Sequence, residues 1–192
     1  MIICGRTREE AMADIRDFHG FVAPGLLIGA FMVDLAYEKI GREVEADAIV
    51  ETRRCLPDAI QVFTPCTIGN GWLKILDLGK FALTMYDRHT REGHRVWLDL
   101  DKARTGHETI YKWYNGLASK KELPIEILHE AIFAAGRSIL SSKAVRVVDY
   151  GERQKKGEVR ICEKCHEAYL ADQGSPCLAC QGKGYYQDID NM

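Results

Sequence analysis

Cys162, Cys165, Cys177 and Cys180 form two C-x2-C pairs separated by eleven residues, and no other feature of the chain limits its fold as tightly. Each pair presents two thiolates from one tight turn, and four thiolates at such a spacing close around a single tetrahedral ion, most often zinc. Gly174, Ser175 and Pro176 make a turn directly before the second pair, while Gly182 and Gly184 loosen the chain after it. Four cysteines leave no open coordination position, so the expected Zn2+ is structural. His166, beside Cys165, is a fifth donor by type and is assigned to the surface. Two disulfides or four unrelated thiols would be the competing readings, but disulfides belong to oxidising compartments. The stretch Met1 to Arg6 has no apolar leader core, and Cys4, Cys55 and Cys66 add an odd, scattered number of thiols. A reduced, cytoplasmic protein is expected.

At 192 residues the chain holds enough for one sizeable core and a small appendage. A formal net charge of −2 gives no overall pull toward nucleic acid or an anionic membrane. The longest apolar stretch, Leu26 to Ile40, is broken by Asp34, Glu38 and Lys39, which makes it too short and too charged to span a bilayer.

Local signals divide the rest. Thr7 followed by Glu10 is a capping box for a first helix with Ala11, Ile15 and Phe18 on its apolar face, ending at His19-Gly20. Pro24 suits the first position of a second, central helix that stops at Gly41. Ala46–Arg53 reads as a strand and Leu56–Phe63 as a short helix closed by Pro65, with an ordered loop from Cys66 to Gly71. Trp72–Leu76, Phe81–Asp87 and Arg95–Leu100 read as antiparallel strands with turns at Asp77–Lys80 and His89–His94, 107–117 and 124–140 as helices, and Val145–Val148 as a further strand. The expected fold is therefore α+β, with helices packed on a largely antiparallel sheet in a core of residues 1–150. A polar linker of residues 151–157 joins it to a four-cysteine zinc-finger module over 158–192.

Two segments of the core concentrate chemistry. Phe18-His19-Gly20-Phe21-Val22-Ala23-Pro24-Gly25 sets a histidine and glycines against a helix start, which is either an anion- or ligand-accepting corner or a helix junction with His19 as its polar plug. Cys55-Leu56-Pro57-Asp58 and Cys66-Thr67-Ile68-Gly69-Asn70 bracket one short helix, so Cys55, Asp58 and Cys66 are candidates for a metal or catalytic site or for small buried side chains.

Taken in order, these motifs resemble the FmdE family of formylmethanofuran dehydrogenase. That family carries H-G-H-x-C-P-G, then C-x-x-D-A-I-Q, then G-C-T-x-G-N and D-x-G-K, and some members add a C-terminal zinc finger. This chain has His19-Gly20 with Pro24-Gly25, Cys55-Leu56-Pro57-Asp58-Ala59-Ile60-Gln61, Cys66-Thr67-Ile68-Gly69-Asn70 and Asp77-Leu78-Gly79-Lys80. It departs where Phe21 replaces the second histidine and Ala23 the cysteine. A second metal in the core is thereby left with His19, Cys55, Cys66 and water, or is not bound.

The resemblance implies association with an oxidoreductase of carbon dioxide fixation and membership of a larger enzyme complex. The chain lacks the cysteine runs of a ferredoxin, and zinc performs no redox chemistry, so an accessory or cofactor- and metal-handling component is expected rather than the dehydrogenase itself. The expected cleft gathers His19, Cys55, Asp58, Cys66 and Asn70. Two other readings stand beside it. One is an enzyme with Cys66 as nucleophile and His19 or Asp58 as base. The other is a finger that grips protein or nucleic acid, although Glu158, Glu163 and Glu167 interleave with Lys155, Lys156, Arg160 and Lys164 and point to a solvated face. A homodimer is expected from the apolar start of the Leu26–Ile40 helix and from Trp72, Trp97, Tyr111, Trp113 and Tyr114.

Overall fold

The computed structural model describes residues 1–119, 121–148 and 157–186. The chain divides into two units, Met1–Val148 and Asp149–Met192; residues 151–156 of the expected linker lie outside the described residues.

After a two-residue hairpin, β1 (Ile2–Ile3) and β2 (Arg6–Thr7), helix α1 runs over Arg8–His19. Its capping box is complete: Thr7 Oγ1 accepts from the Glu10 amide at 3.2 Å and the Glu10 carboxylate accepts from the Thr7 amide at 2.8 Å. Gly20 takes φ 90° to close it, a conformation that a side chain would resist. Ala11 and Ile15 are buried as expected, but Phe18 is 53% exposed. Positions 11, 15 and 19 form one i, i+4 row, so the core-facing place in the last turn belongs to His19.

Helix α2 (Pro24–Ile40) buries twelve of its seventeen residues, including Leu26, Leu27 and Ile28. It crosses the sheet against β5 (Ala82–Asp87) and β6 (Glu92–Leu98) and also packs on α3 (Leu56–Phe63) and α6 (Ile125–Ala135). A Cβ added to Gly29 would lie 2.5 Å from the Ala59 Cβ, so the α2–α3 approach depends on that glycine. The apolar start of α2 is thus covered by the chain's own elements.

Five strands form the sheet in the order β4-β3-β5-β6-β7, with β3 at Ala46–Val50, β4 at Leu73–Ile75 and β7 at Leu140–Arg146. Three pairings are antiparallel, and β3 with β4 is parallel, Ala48 facing Leu73 and Val50 facing Ile75. The Trp72–Leu76 strand, expected to be antiparallel, is therefore parallel to its neighbour. Because α3 carries the chain back to the end where β3 began, the two strands must run the same way, as in any βαβ unit. The α+β class with a mostly antiparallel sheet holds.

Between β6 and β7 the boundaries shift. The strand expected at Arg95–Leu100 starts at Glu92 and ends at Leu98. Asp99 then caps a helix that the sequence pattern does not signal, α4 (Leu100–Gly106), by accepting from the amides of Asp101 at 3.1 Å and Lys102 at 3.2 Å. Helix α5 covers Glu108–Tyr114. The helix expected over 124–140 ends at Ala135, where Gly136 takes φ 52°, and the last strand begins at Leu140 rather than Val145. Ser141 and Ser142 pair with Trp97 and Val96, so the sheet edge recruits residues of weak strand propensity.

The described residues of the second unit form a short hairpin, β8 (Val159–Ile161) and β9 (Ala168–Leu170), followed by short helical turns at Ala171–Gln173 and Ala179–Lys183.

Candidate functional site

The four finger thiols come from two chain reversals. Cys162 leaves β8, and its amide donates to the Glu167 carbonyl at 2.9 Å while the His166 amide donates to the Cys162 carbonyl at 2.9 Å, which folds Cys165 back toward Cys162. Gln181 braces the second pair, donating from Nε2 to the Pro176 carbonyl at 2.6 Å and from its amide to the Cys177 carbonyl at 3.0 Å. The four sulfurs lie within 4.8 Å of one another, Cys165 Sγ and Cys177 Sγ being 3.7 Å apart. Tetrahedral zinc–thiolate bonds of about 2.3 Å require sulfurs about 3.8 Å apart, so the cluster fits zinc. Backbone N–H groups of Cys165 and Cys177 lower the Cys162 thiol to about 6, whereas burial and the neighbouring thiols push the Cys180 thiol up to about 12, so without an ion the cluster does not hold four thiolates. His166 is exposed and stands outside the group. Among the described residues this is the sole gathering of three or more potential metal-ligating Cys, His, Asp or Glu side chains.

In the core, the carboxyl ends of the parallel strands β3 and β4 open on a cleft of about 710 Å³ lined by residues that include Gly25, Arg53, Arg54, Cys55, Asp77 and Trp113. Its position follows the rule for parallel strands, whose carboxyl ends diverge into a crevice. The starts of α2 and α3 border it, at Gly25 and Cys55, and neither helix has a side-chain cap. The positive dipole ends of the two helices add to the charge of the arginines. Cys55 holds φ 56°, ψ −51°, an unusual conformation for a residue with a side chain. Its sulfur fills the space above Gly25, where an added Cβ would lie 2.7 Å from it. Burial, and then the Asp58 carboxylate, push the Cys55 thiol up, so it stays protonated at neutral pH.

Aromatic rings form another part of the lining. Tyr114 meets Phe81 edge-on at 5.8 Å between centroids and Trp113 at 6.0 Å. Arg53 pairs with Asp77 at 3.3 Å. Asp77 also fixes its own turn by accepting from the Gly79 amide at 3.2 Å, with Gly79 at φ 66°. The Leu78 and Lys80 amides both donate to the Glu51 carbonyl, at 3.0 and 3.1 Å. The Asp77-Leu78-Gly79-Lys80 motif is thus a clamped rim of the cleft.

Of the five candidates, the structure brings three together. His19 Nδ1 lies 2.7 Å from Asp58 Oδ2 in the first turn of α3, and Asp58 acts electrostatically on Cys55. Phe21, at the departure from the family pattern, tilts over the His19 ring with centroids 5.0 Å apart. Cys66 and Asn70 lie beyond the other end of α3, whose eight residues rise about 12 Å. Cys66 is 1% exposed, its Sγ donates to the Ala46 carbonyl at 3.2 Å, and burial raises its thiol. Asn70 ties its loop: Oδ1 accepts from the Thr67 and Trp72 amides, both at 3.0 Å, and Nδ2 donates to the Pro65 carbonyl at 2.8 Å. Sequence reasoning misses Arg53, Arg54, Phe81 and the cleft-facing role of Trp113 and Tyr114. The available signal is a pair of arginines between a β-branched run and a helix start, facing a pair of aromatics.

Known proteins agree with this architecture. Residues 18–149 match the family described as "FmdE, Molybdenum formylmethanofuran dehydrogenase operon", and residues 153–187 match the FmdE treble clef zinc finger. The crystal structure of a tungsten formylmethanofuran dehydrogenase FmdE-like protein from Syntrophus aciditrophicus is 44% identical, with a TM-score of 0.85 over 96% of this chain and 97% of that one. A protein of Archaeoglobus fulgidus named "Probable S-adenosyl-L-methionine-binding protein" is 33% identical over 190 residues, covering 88% of this chain and 52% of that protein. The chain spans about half the length of that relative. With the FmdE match covering well over half of its residues and the matching finger following it, this chain belongs to the FmdE family.

Proposed function

We propose that the protein is a cofactor-handling, accessory member of its family. In this reading its cleft takes a small anionic molecule with a planar ring, and its zinc is structural. The observation that carries this reading is the convergence, at the carboxyl ends of β3 and β4, of two uncapped helix starts and Arg53 and Arg54 with the rings of Trp113, Tyr114 and Phe81. Helix starts and guanidinium groups hold an anion, and the rings supply a face for a flat group. Cys55 lines it, and the His19–Asp58 pair, which acts on Cys55 through the Asp58 charge, is a positioning group. A nucleophilic Cys66 finds no support, since the thiol is enclosed and protonated. The basic stretch of the finger finds little, because Arg160 is paired with Glu158 at 3.0 Å.

Adenosine monophosphate, which joins a planar base to a phosphate anion, is the first probe; S-adenosylmethionine, named for the Archaeoglobus relative, has a planar base and a carboxylate but a net positive charge and is the second. Saturable quenching of Trp113 fluorescence is expected for at least one, with a dissociation constant of about 1–100 μM, equivalent to roughly 5.5–8 kcal/mol. Arg54→Gln should weaken it at least tenfold. Absence of binding by both probes, or binding unchanged in Arg54→Gln, would overturn the assignment of the cleft. The homodimer is also inferred, now on the exposed Leu117, Ile125 and Ile127 around α5 and α6 rather than on α2. Light scattering that shows a monomer across a hundredfold dilution would remove it.

A further inference from the structure

A second enclosed space lies at the opposite ends of the same strands. Ala46 at the start of β3, Trp72 just before β4 and Arg88 just after β5 surround a pocket of about 370 Å³, whereas the cleft above sits past Val50 and Ile75 and before Ala82. Its walls are apolar at Val44 and Pro65 and aromatic at Tyr37 and Trp72.

Two guanidinium groups lie over those rings, Arg88 4.3 Å from the Trp72 centroid and Arg42 5.0 Å from that of Tyr37. Carboxylates anchor each of them. Asp47 takes Nε and Nη2 of Arg88, both at 2.9 Å, and Asp34 takes Nη2 of Arg42 at 3.2 Å. Five N–H groups belong to each guanidinium, so anchoring through one or two leaves the remainder available to an acceptor. Glu45 is the carboxylate at the rim. It is 67% exposed and stands 3.6 Å from Arg88, a loose contact shared with His89 at 3.2 Å.

The remaining observation is an unmet donor. Trp72 Nε1 is buried and has no hydrogen-bond partner, a condition that costs about 1–3 kcal/mol wherever it persists and that is uncommon in folded proteins. Trp72 is not loosely placed, because its amide is tied to Asn70 Oδ1 at 3.0 Å and the same asparagine holds the Pro65 carbonyl at 2.8 Å. The Cys66–Asn70 loop, which the first cleft does not use, is thereby the scaffold of this second pocket.

We propose that this pocket binds a small organic carboxylate. Its carboxylate is received by Arg42 and the Trp72 Nε1–H, and its apolar body lies along Val44 and Pro65. Two cations over aromatic faces with a spare indole donor select an acceptor-only group, and a flat two-oxygen carboxylate matches a guanidinium fork. The volume is near the lower end of small-molecule sites, which limits the ligand to a few carbons or one ring.

The test uses the full zinc-loaded chain labelled with nitrogen-15, reading the indole N–H resonances of its three tryptophans. Trp72→Phe assigns the Trp72 signal by its disappearance, and Trp113 reports the first cleft independently. Acetate, benzoate, inorganic phosphate and sodium chloride at matched ionic strength are the probes. Benzoate is expected to move the Trp72 signal downfield and saturably with a dissociation constant of about 0.1–10 mM, acetate more weakly, and chloride not at all. Arg42→Gln should weaken the benzoate response at least tenfold while the circular dichroism spectrum is kept, and Arg42→Lys should recover part of it. A Trp72 signal that ignores both carboxylates, that follows chloride or phosphate equally, or that responds undiminished in Arg42→Gln would overturn the proposal. A Trp113 response to benzoate, or its absence, bears on the first cleft only.

Discussion

Leu26, Leu27, Ile28 and Met32 are fully buried in the core, whereas the described residues of the finger bury Cys162 and Cys177 and leave Val159, Ile161 and Tyr185 more than half exposed. Two means of closing a chain are therefore joined in one protein. The core excludes water from a contiguous apolar cluster between helices and sheet, and its stability scales with the apolar area removed from water. The described residues of the finger hold a pair of three-residue strands and two short helical turns, too little to offset the entropy of ordering its chain. In the reading proposed above, its sulfurs do that work through a metal. A pattern of four residues can specify a fold where apolar periodicity is absent, and a structural zinc would make that fold last only while the ion is held.

The sharpest way to break this comparison is to remove the metal. Chelation, or Cys162→Ser, should unfold the finger and leave the core intact, because ion binding of about 10–16 kcal/mol is the folding free energy of such a module. Amide spectra of the chain should show collapse of finger resonances such as those of Tyr169 and Leu170, while those of α2 and β5 persist. Acidification should act in the same direction, since protons compete with zinc for thiolates and the bound metal gives way as pH falls. A finger that keeps its dispersion without metal would show that its few apolar contacts suffice.

The reverse experiment attacks the core through its most demanding polar contact. Arg95 donates to Glu51 twice, from Nε at 2.6 Å and Nη2 at 2.8 Å, and Glu51 is only 7% exposed. Arg95→Met leaves that carboxylate enclosed without a partner, a change of about 3–5 kcal/mol. Glu51→Gln added to it should return part of the loss. Thermal unfolding of the core should move down by about 6–20 °C for Arg95→Met, while zinc content stays at one ion per chain. Loss of zinc along with the core transition would show that the two units depend on each other.

What can be read from the sequence divides along the same line. The four cysteines, Thr7 with Glu10, and Pro24 with Gly41 each act within a few residues, so cap, start, stop and ligand set are local facts. The parallel pairing of β4 depends on where α3 returns the chain, and the early start of β7 depends on β6 offering an edge. Neither is written in Leu73–Ile75 or Ser141–Ser142 themselves. The functional residues show the same split. His19, Asp58 and Cys55 stand near helix ends and are visible in the sequence, but Arg53, Arg54, Trp113 and Tyr114 line one cleft through tertiary placement. Cys66 and Asn70 are marked as unusual by their motif, yet they serve the far end of α3 instead of that cleft. A motif records that a loop is constrained and not which end of a helix it faces.

The smallest expected effect tests how local the core's instructions are. In the capping box, Thr7 and Glu10 satisfy amides that the first turn of α1 would otherwise leave to water. Thr7→Ala removes the side-chain acceptor, and such changes cost about 0.5–2 kcal/mol, typically about 1 kcal/mol. For a unit of this size that corresponds to a fall of roughly 2–4 °C in the unfolding midpoint. Thr7→Ser and Thr7→Asp keep an acceptor and should stay within about 0.5 kcal/mol of the parent, since all three side chains are favoured caps. A difference between Ala and Ser below the resolution of calorimetry would mean that α1 is held by Ala11 and Ile15 alone. The core would then owe its first helix to burial, and the cap would be a consequence of the fold rather than one of its causes.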